Sequence, residues 1–122
     1  MLTSLVMPKF HEGASAALVE SIHVDVNTKL FSNTKFIDVS INLSSLFAQN
    51  CPPISYYRIV LREGLWLREL FMSAGQLCGV GDTVAILSTD EREPLDQEVS
   101  RVVRIMTAGI SYHGEMWSGA QA

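Results

Sequence analysis

The segment "LRELFMSAGQLCGVGDTVAIL", Leu67 to Leu87, decides the fold because the chain contains a second copy of its pattern. A shift of 48 residues aligns it without a gap on "VESIHVDVNTKLFSNTKFIDV", Val19 to Val39. In both segments, turn residues separate short apolar runs of strand length, which is typical of β-strands. A helix is disfavoured because Asn or Gly interrupts each run within about six residues. The repeat therefore predicts one β unit used twice.

The turn positions of the two segments also correspond. Asn27 aligns with Gly75, and Asn33 aligns with Gly81. Glycine adopts positive φ without penalty, and asparagine is one of the few other residues that tolerate it. We therefore predict the same two positive-φ turns in each half. Two copies of a β unit that cannot close a core alone predict a mostly β, pseudo-two-fold sandwich.

Two stretches, "MPKFHEG" at Met7–Gly13 and "SAGQLCGVGDTVAIL" at Ser73–Leu87, resemble the biotinyl/lipoyl-like domain family. The resemblance covers roughly residues 5–88 and implies a β-sandwich or flattened barrel of two pseudo-two-fold-related sheets, here assigned to residues 1–88. In that family, a lysine on the hairpin between the two halves carries lipoate or biotin. The resemblance therefore implies an attachment site in the hairpin of this chain.

The attachment lysine is missing from the hairpin, an extended excursion over about residues 42–55. The expected position falls near Leu43, and the only lysines of the chain are Lys9, Lys29 and Lys35. Arginine cannot replace lysine there because its guanidinium stays protonated and is not acylated. We therefore expect a domain without a prosthetic group, with neither lipoate nor biotin as cofactor.

The alternative is a true lipoyl, biotinyl or acyl carrier that is modified at an atypical residue. Lys35 and Cys51 are the fallback positions for such a modification. Lys35 belongs to the strand before the hairpin. No His, Lys or Arg lies within six residues of Cys51 to favour its thiolate. Both positions are therefore poor candidates for an attachment site, and we prefer the interpretation that the carrier chemistry is lost. The other cysteine, Cys78, is predicted to be a small buried hydrophobe.

The hairpin excursion carries three apolar residues at a tip that should be exposed: Leu46, Phe47 and Ile54. Either they form a docking surface for a protein partner, or the excursion folds back and buries them on its own sandwich. The sequence leaves both interpretations open.

The C-terminal part, residues 89–122, differs in composition and apolar pattern from the residues before it. A polar linker precedes "QEVSRVVRIMTAG", whose apolar residues, including Val99, Val102 and Met106, fall at helical spacing. We therefore predict an amphipathic C-terminal helix, followed by a loose tail. Its apolar face either packs on the sandwich or binds another subunit. Pairing within a homodimer is a third arrangement that would bury it.

Composition excludes several functions. Only nine Lys and Arg in a chain of net charge −4 argue against a nucleic-acid partner. No apolar run approaches the roughly 20 residues of a membrane span, and we expect no signal peptide. Two cysteines are typical of a reduced, cytoplasmic protein.

The three histidines show no spacing typical of metal ligands, and we find no residues for catalysis or for a small-molecule site. The sequence thus predicts a non-catalytic, metal-free protein. We expect it to act as an interaction or accessory subunit beside a multienzyme system.

Overall fold

The computed structural model describes residues 1–42 and 54–110, which form ten β-strands and no helix. The strands are β1 Leu2–Val6, β2 Ala16–Ile22, β3 Lys29–Leu30, β4 Lys35–Asn42, β5 Ile54–Leu61, β6 Leu65–Leu70, β7 Leu77–Gly79, β8 Thr83–Ser88, β9 Val99–Val102 and β10 Ile105–Ile110. Accordingly, these two ranges hold no helix that could cross a membrane.

The strands build two five-stranded sheets. Sheet A has the order β3-β6-β8-β1-β9, and sheet B has the order β10-β5-β4-β2-β7. The prediction of a mostly β protein is confirmed, and the described strands do not close into a barrel.

The predicted repeat is present in the strand pairing. Strand β2 pairs with β4 and β7, and its counterpart β6 pairs with β8 and β3. The amide of Asn27 donates to the carbonyl of Leu67 at 2.7 Å, and the amide of Gly75 donates to the carbonyl of Val19 at 2.7 Å. The two donors are aligned residues of the repeat, and so are the two acceptors, so each half donates to the other in the same way.

The predicted turn conformations are confirmed. Asn27 and Asn33 have φ values of 68° and 72°, and they are the only non-glycine residues with positive φ in the described ranges. Their aligned partners Gly75 and Gly81 have φ values of 89° and 93°. Asn and Gly are therefore interchangeable here for a conformational reason.

The core lies between the two sheets and combines residues from both halves. Because side chains alternate along a strand, every second residue of the central strands points inward. Fully buried examples from the two sheets are Leu5, Val19, Ile37, Ile59, Leu67 and Leu87. Cys78 joins this cluster with 1% of its surface exposed, as predicted for a small buried hydrophobe.

The predicted C-terminal helix is wrong. Residues Val99–Val102 form β9, which pairs with β1 in parallel, and Ile105–Ile110 form β10, which pairs with β5 in antiparallel orientation. The apolar spacing fits a helix, but the segment is rich in Val, Ile and Thr, which favour a pleated surface. The open edges of β1 and β5 also offer backbone partners that only an extended segment can use. Residues 99–110 thus add one strand to each sheet.

The short link between β9 and β10 joins the two sheets. The amide of Val103 donates to the carbonyl of Ser4 at 2.8 Å, and the amide of Arg62 donates to the carbonyl of Arg104 at 3.0 Å. Arg101 donates two hydrogen bonds to the Glu63 carboxylate at 2.6 and 2.5 Å, and the Arg104 amide donates a third at 2.8 Å. These bonds, that of Arg101 foremost, lower the pKa of Glu63 to about 2. The link is therefore fastened to both sheets.

Candidate functional site

The hairpin end is the part of sheet B where the sequence resemblance led us to expect an attachment position. Asn42, the last residue of β4, pairs with Ile54, the first residue of β5. Four residues of the predicted site lie outside the described ranges: Leu43, Leu46, Phe47 and Cys51. The geometry of the site is therefore built from the Asn42–Ile54 pair and its neighbours.

Lys35 lies far from this end. It is the exposed first residue of β4, and it pairs with Val60 of β5. Asn42 lies seven positions further along β4, which at about 3.3 Å per residue corresponds to roughly 23 Å along the strand. The lysine nearest to the hairpin in sequence is thus at the opposite end of the hairpin strands.

A surface pocket of about 410 Å³ opens at the hairpin end. It is lined by the loop before β2, by β2 and β4, and by residues of β5 and β7: Gly13, Ala14, Ser15, Ala16, Leu18, Glu20, Ser40, Ile41, Asn42, Ile54 and Leu77. The loop is positioned by its backbone, since the Ala14 amide donates to the His11 carbonyl at 3.0 Å and the Val80 amide donates to the Ser15 carbonyl at 2.9 Å.

The pocket combines one carboxylate with an apolar rim. Glu20 accepts a hydrogen bond from the Ser40 hydroxyl at 2.6 Å. Ile54 and Leu77 are 42% and 67% exposed, which is high for large aliphatic side chains. Such a pocket can bind an apolar side chain of a partner and offer an acceptor to a neighbouring donor.

A charged cluster lies further along the same face of sheet B. Asp38 is 2% exposed and pairs in register with Arg58. The Arg58 guanidinium donates to both carboxylate oxygens, from Nε to Oδ1 at 2.7 Å and from Nη2 to Oδ2 at 3.0 Å. His23 Nε2 lies 3.0 Å from Oδ2 of Asp38. The carboxylate is thus held on both oxygens.

This cluster is a closed ion pair. Burial alone would raise the pKa of Asp38, but the hydrogen bonds from Arg58 and His23 outweigh it and lower the pKa below its ordinary value. A carboxylate that is ionised and engaged on both oxygens is a poor general base. The cluster therefore stabilises the outer face of sheet B.

Neither a metal-binding cluster nor an activated cysteine occurs in the described part of the chain. No group of three or more His, Cys, Asp or Glu in residues 1–42 and 54–110 could hold a metal ion. Burial, and then the nearby charge of Asp82, raises the pKa of the Cys78 thiol. This cysteine is therefore held as a thiol and is not an activated nucleophile.

The C-terminal residues predicted to bind a partner are exposed, but they do not form one helical face. Val99 and Val102 lie on β9, with 42% and 57% of their surface exposed. Met106 lies on β10 and is 41% exposed. The structure therefore places the three residues on the edges of two different sheets.

Sequence reasoning missed the Asp38–Arg58 pair and the pocket. An aspartate inside the apolar run "FIDVSI" signals that the strand holds a partner for it, because a buried charge requires one. The partner itself depends on the register across the β4–β5 hairpin, and no local pattern gives that register. Leu77 could have been found, because alternation around the buried Cys78 directs it outward.

Comparison with known proteins adds no relative, since no family model, curated protein or solved structure matches the chain. Among the described residues, the hairpin end is where a pocket and exposed aliphatic side chains occur together.

Proposed function

We propose that this chain is a biotinyl/lipoyl-like domain without a prosthetic group. It acts as a non-catalytic interaction or accessory subunit beside a cytoplasmic multienzyme system. The reciprocal hydrogen bonding of the two halves supports the proposed fold type, because that fold consists of two sheets related by a pseudo-two-fold axis. The positive-φ turns at the same positions of both halves support it as well.

The observation that carries the proposed activity is the rim of the pocket at the hairpin end. Ile54 and Leu77 expose aliphatic surface beside a carboxylate, at the end of the domain where a carrier would present its lysine. Because exposing such side chains to water is unfavourable, burial by a partner would gain roughly 1 to 2 kcal/mol for each. The hairpin end is therefore proposed to bind a protein.

Paired substitutions test this proposal with a matched control. Ile54→Asp and Leu77→Asp should abolish capture of the partner by the tagged chain from its native host. Phe31→Asp should leave capture unchanged, since Phe31 is also 67% exposed but lies in the turn after β3 of sheet A. Equal capture by all variants would show that the hairpin end is not the docking surface.

Intact mass distinguishes this proposal from the alternative of a true carrier. The chain purified from its host, or coexpressed with lipoyl and biotin ligases, should have its unmodified mass. A mass increase equal to lipoyl, biotinyl or another acyl group would favour the alternative. Peptide mapping would then show whether Lys35 or Cys51 carries the group. Leu43→Lys should restore little modification, because residues 43–53 separate β4 from β5, whereas the carrier family presents its lysine on a tight turn.

A further inference from the structure

The free edges of the two sheets differ in length. On one side the edge strands β3 and β7 contain two and three residues, and on the other side β9 and β10 contain four and six. Short edges offer little template for another strand, whereas a long one with no charge does. The sequence of β10 is "IMTAGI", and no described strand pairs with its outer edge. Strand β10 is therefore the longest free edge among the described strands.

The direction of the free backbone groups on β10 follows from its register with β5. The amide of Arg62 donates to the carbonyl of Arg104, which fixes the hydrogen-bonded positions of this antiparallel pair. Because these positions alternate, the residues opposite Val60 and Arg58 also face β5. The amides and carbonyls of Ile105, Thr107 and Gly109 therefore point to the open edge.

Basic side chains gather at one end of this edge, on the outer face of sheet B. Lys35, Val60 and Met106 lie in register across β4, β5 and β10. Arg62 donates to the Met106 sulfur at 3.4 Å, and the Arg104 side chain is 77% exposed. Since paired residues of a sheet share a face, Lys35, Arg62 and Arg104 lie on the same face of sheet B as Met106.

The charge at this corner is positive although the chain is acidic. Lys35, Arg62, Arg101 and Arg104 are four of its nine basic residues, in a chain of net charge −4. Glu63 is the carboxylate that pairs with Arg101 and Arg104. Among the described residues, no carboxylate lies within ion-pair distance of Lys35 or Arg62. The corner thus keeps an excess of positive charge.

We propose that the β10 edge accepts an extended acidic peptide, which adds to sheet B as a sixth strand. Backbone hydrogen bonds to Ile105, Thr107 and Gly109 would hold the peptide, and the cations on the face of Met106 would select acidic side chains. The apolar part of the peptide would face Ala108 and Ile110. This surface is separate from the hairpin-end pocket, and the proposal of peptide binding does not depend on the proposed function.

Designed peptides test the charge selection. The probe is an eight-residue fluorescent peptide for antiparallel pairing, with Glu opposite Arg104 and Met106, Val opposite Ala108 and Ile110, and Thr between them. Its control carries Lys in place of Glu. By fluorescence anisotropy with the full chain, the Glu peptide should bind roughly tenfold more tightly than the Lys peptide, and less tightly as salt rises. Equal affinities would overturn the acidic preference.

Backbone substitutions test strand addition. An N-methyl group on the peptide Thr opposite Thr107 should abolish binding, whereas one on the Val opposite Ala108 should not, because that amide points away from β10. On the protein, Thr107→Pro removes the central open-edge donor without removing a β5 hydrogen bond. It should abolish binding with an unchanged circular dichroism spectrum. If this variant fails to fold, the two methylated peptides still decide the question.

Further variants separate this surface from the others. The double variant Arg62→Glu and Arg104→Glu should reverse the preference toward the Lys peptide. Ile54→Asp and Leu77→Asp should leave peptide binding unchanged. If both methylated peptides bind alike, or if sedimentation shows that a second copy of the chain occupies β10 and excludes the peptide, the proposal is wrong.

Discussion

The segment from β2 to β4 and the segment from β6 to β8 share their backbone hydrogen bonds but differ in the side chains of their outer faces. The amide of His23 donates to the Phe36 carbonyl at 2.9 Å, and the aligned amide of Phe71 donates to the Val84 carbonyl at 2.8 Å. Even the register irregularities correspond, after Val19 in one half and after the aligned Leu67 in the other. The two halves thus have the same backbone arrangement but different surface side chains.

The buried ion pair exists in one half only. Asp38 pairs in register with Arg58 in sheet B, and the corresponding positions in sheet A are Ile86 and Ser4, also paired in register. One half therefore uses two charges where the other uses an aliphatic residue and a small hydroxyl. The backbone arrangement does not require the charges.

The neighbouring position reverses its charge. Glu20 accepts from Ser40 in the first half, and Arg68 donates to the aligned Ser88 at 3.3 Å in the second. Arg68 also donates to the carbonyls of Asp90 at 3.3 Å and Glu93 at 2.7 Å, so it binds the segment that follows β8. In sheet B, the surroundings of the aligned Glu20 form the pocket at the hairpin end. One half therefore covers this part of its outer face with the segment after β8, whereas the other has a pocket there.

The largest expected effect comes from transferring the sheet A residues into sheet B. Asp38→Ile should lower the free energy of unfolding by about 3 kcal/mol, because it leaves the Arg58 guanidinium buried without its carboxylate. The side chain of Arg58 is only 13% exposed, so water cannot replace the partner. Urea denaturation of both proteins measures the difference.

Its control is the double variant Asp38→Ile and Arg58→Ser, which reproduces the pair of sheet A. The second substitution should restore about 2 kcal/mol, because it removes the buried charge that has lost the Asp38 carboxylate. Equal stabilities of the single and the double variant would mean that the ion pair does not couple the two strands.

The backbone of the repeat was predictable because its signals are local. The Asn–Gly correspondence at residues 27 and 75 and at residues 33 and 81 predicts positive φ, and all four residues have it. The C-terminal strands were not predictable in this way. Val99, Val102 and Met106 fit the period of a helix, and the choice of strand depends on the edges of β1 and β5. Those edges are distant in the sequence.

The candidate site also has features that local sequence predicts and features that it does not. The missing lysine near Leu43 is a fact of sequence, and the outward direction of Ile54 and Leu77 follows from their strands. The pocket could not be predicted, because it requires Glu20, Ser40 and Leu77 to meet across three strands. Register between non-consecutive strands is set by the whole core and by no single motif.

A smaller effect concerns Lys9 and Glu63, which follow β1 and β5 and are related by the same 54-residue offset as Ser4 and Arg58. Lys9 is 51% exposed, and Glu63 is bound by Arg101 and Arg104. Glu63→Gln should lower the free energy of unfolding by about 1 kcal/mol at neutral pH, because both arginines are partly solvated. Lys9→Gln is the matched control and should change stability by less than about 0.5 kcal/mol.

The pH dependence sharpens this test. The pKa of Glu63 is lowered from 4.5 to about 2 on folding, so its contribution is complete above 4.5 and is lost as the pH falls toward 2. The difference in urea midpoint between the wild type and Glu63→Gln should therefore shrink across that window. A difference that stays constant down to pH 2 would show that Glu63 acts through packing and not through charge.

The smallest effect tests whether the turns of the two halves are interchangeable. A Cβ atom on Gly81 would meet no atom within 4 Å, so only the backbone conformation at φ 93° resists substitution. Gly81→Ala should cost about 1 kcal/mol, whereas Gly81→Asn, which copies Asn33, should cost about half of that. In the other half, Asn33→Ala should be destabilising and Asn33→Gly nearly neutral, as judged by urea denaturation. If Ala and Asn were equally tolerated at position 81, the pairing of Asn with Gly across the repeat would no longer be explained by φ.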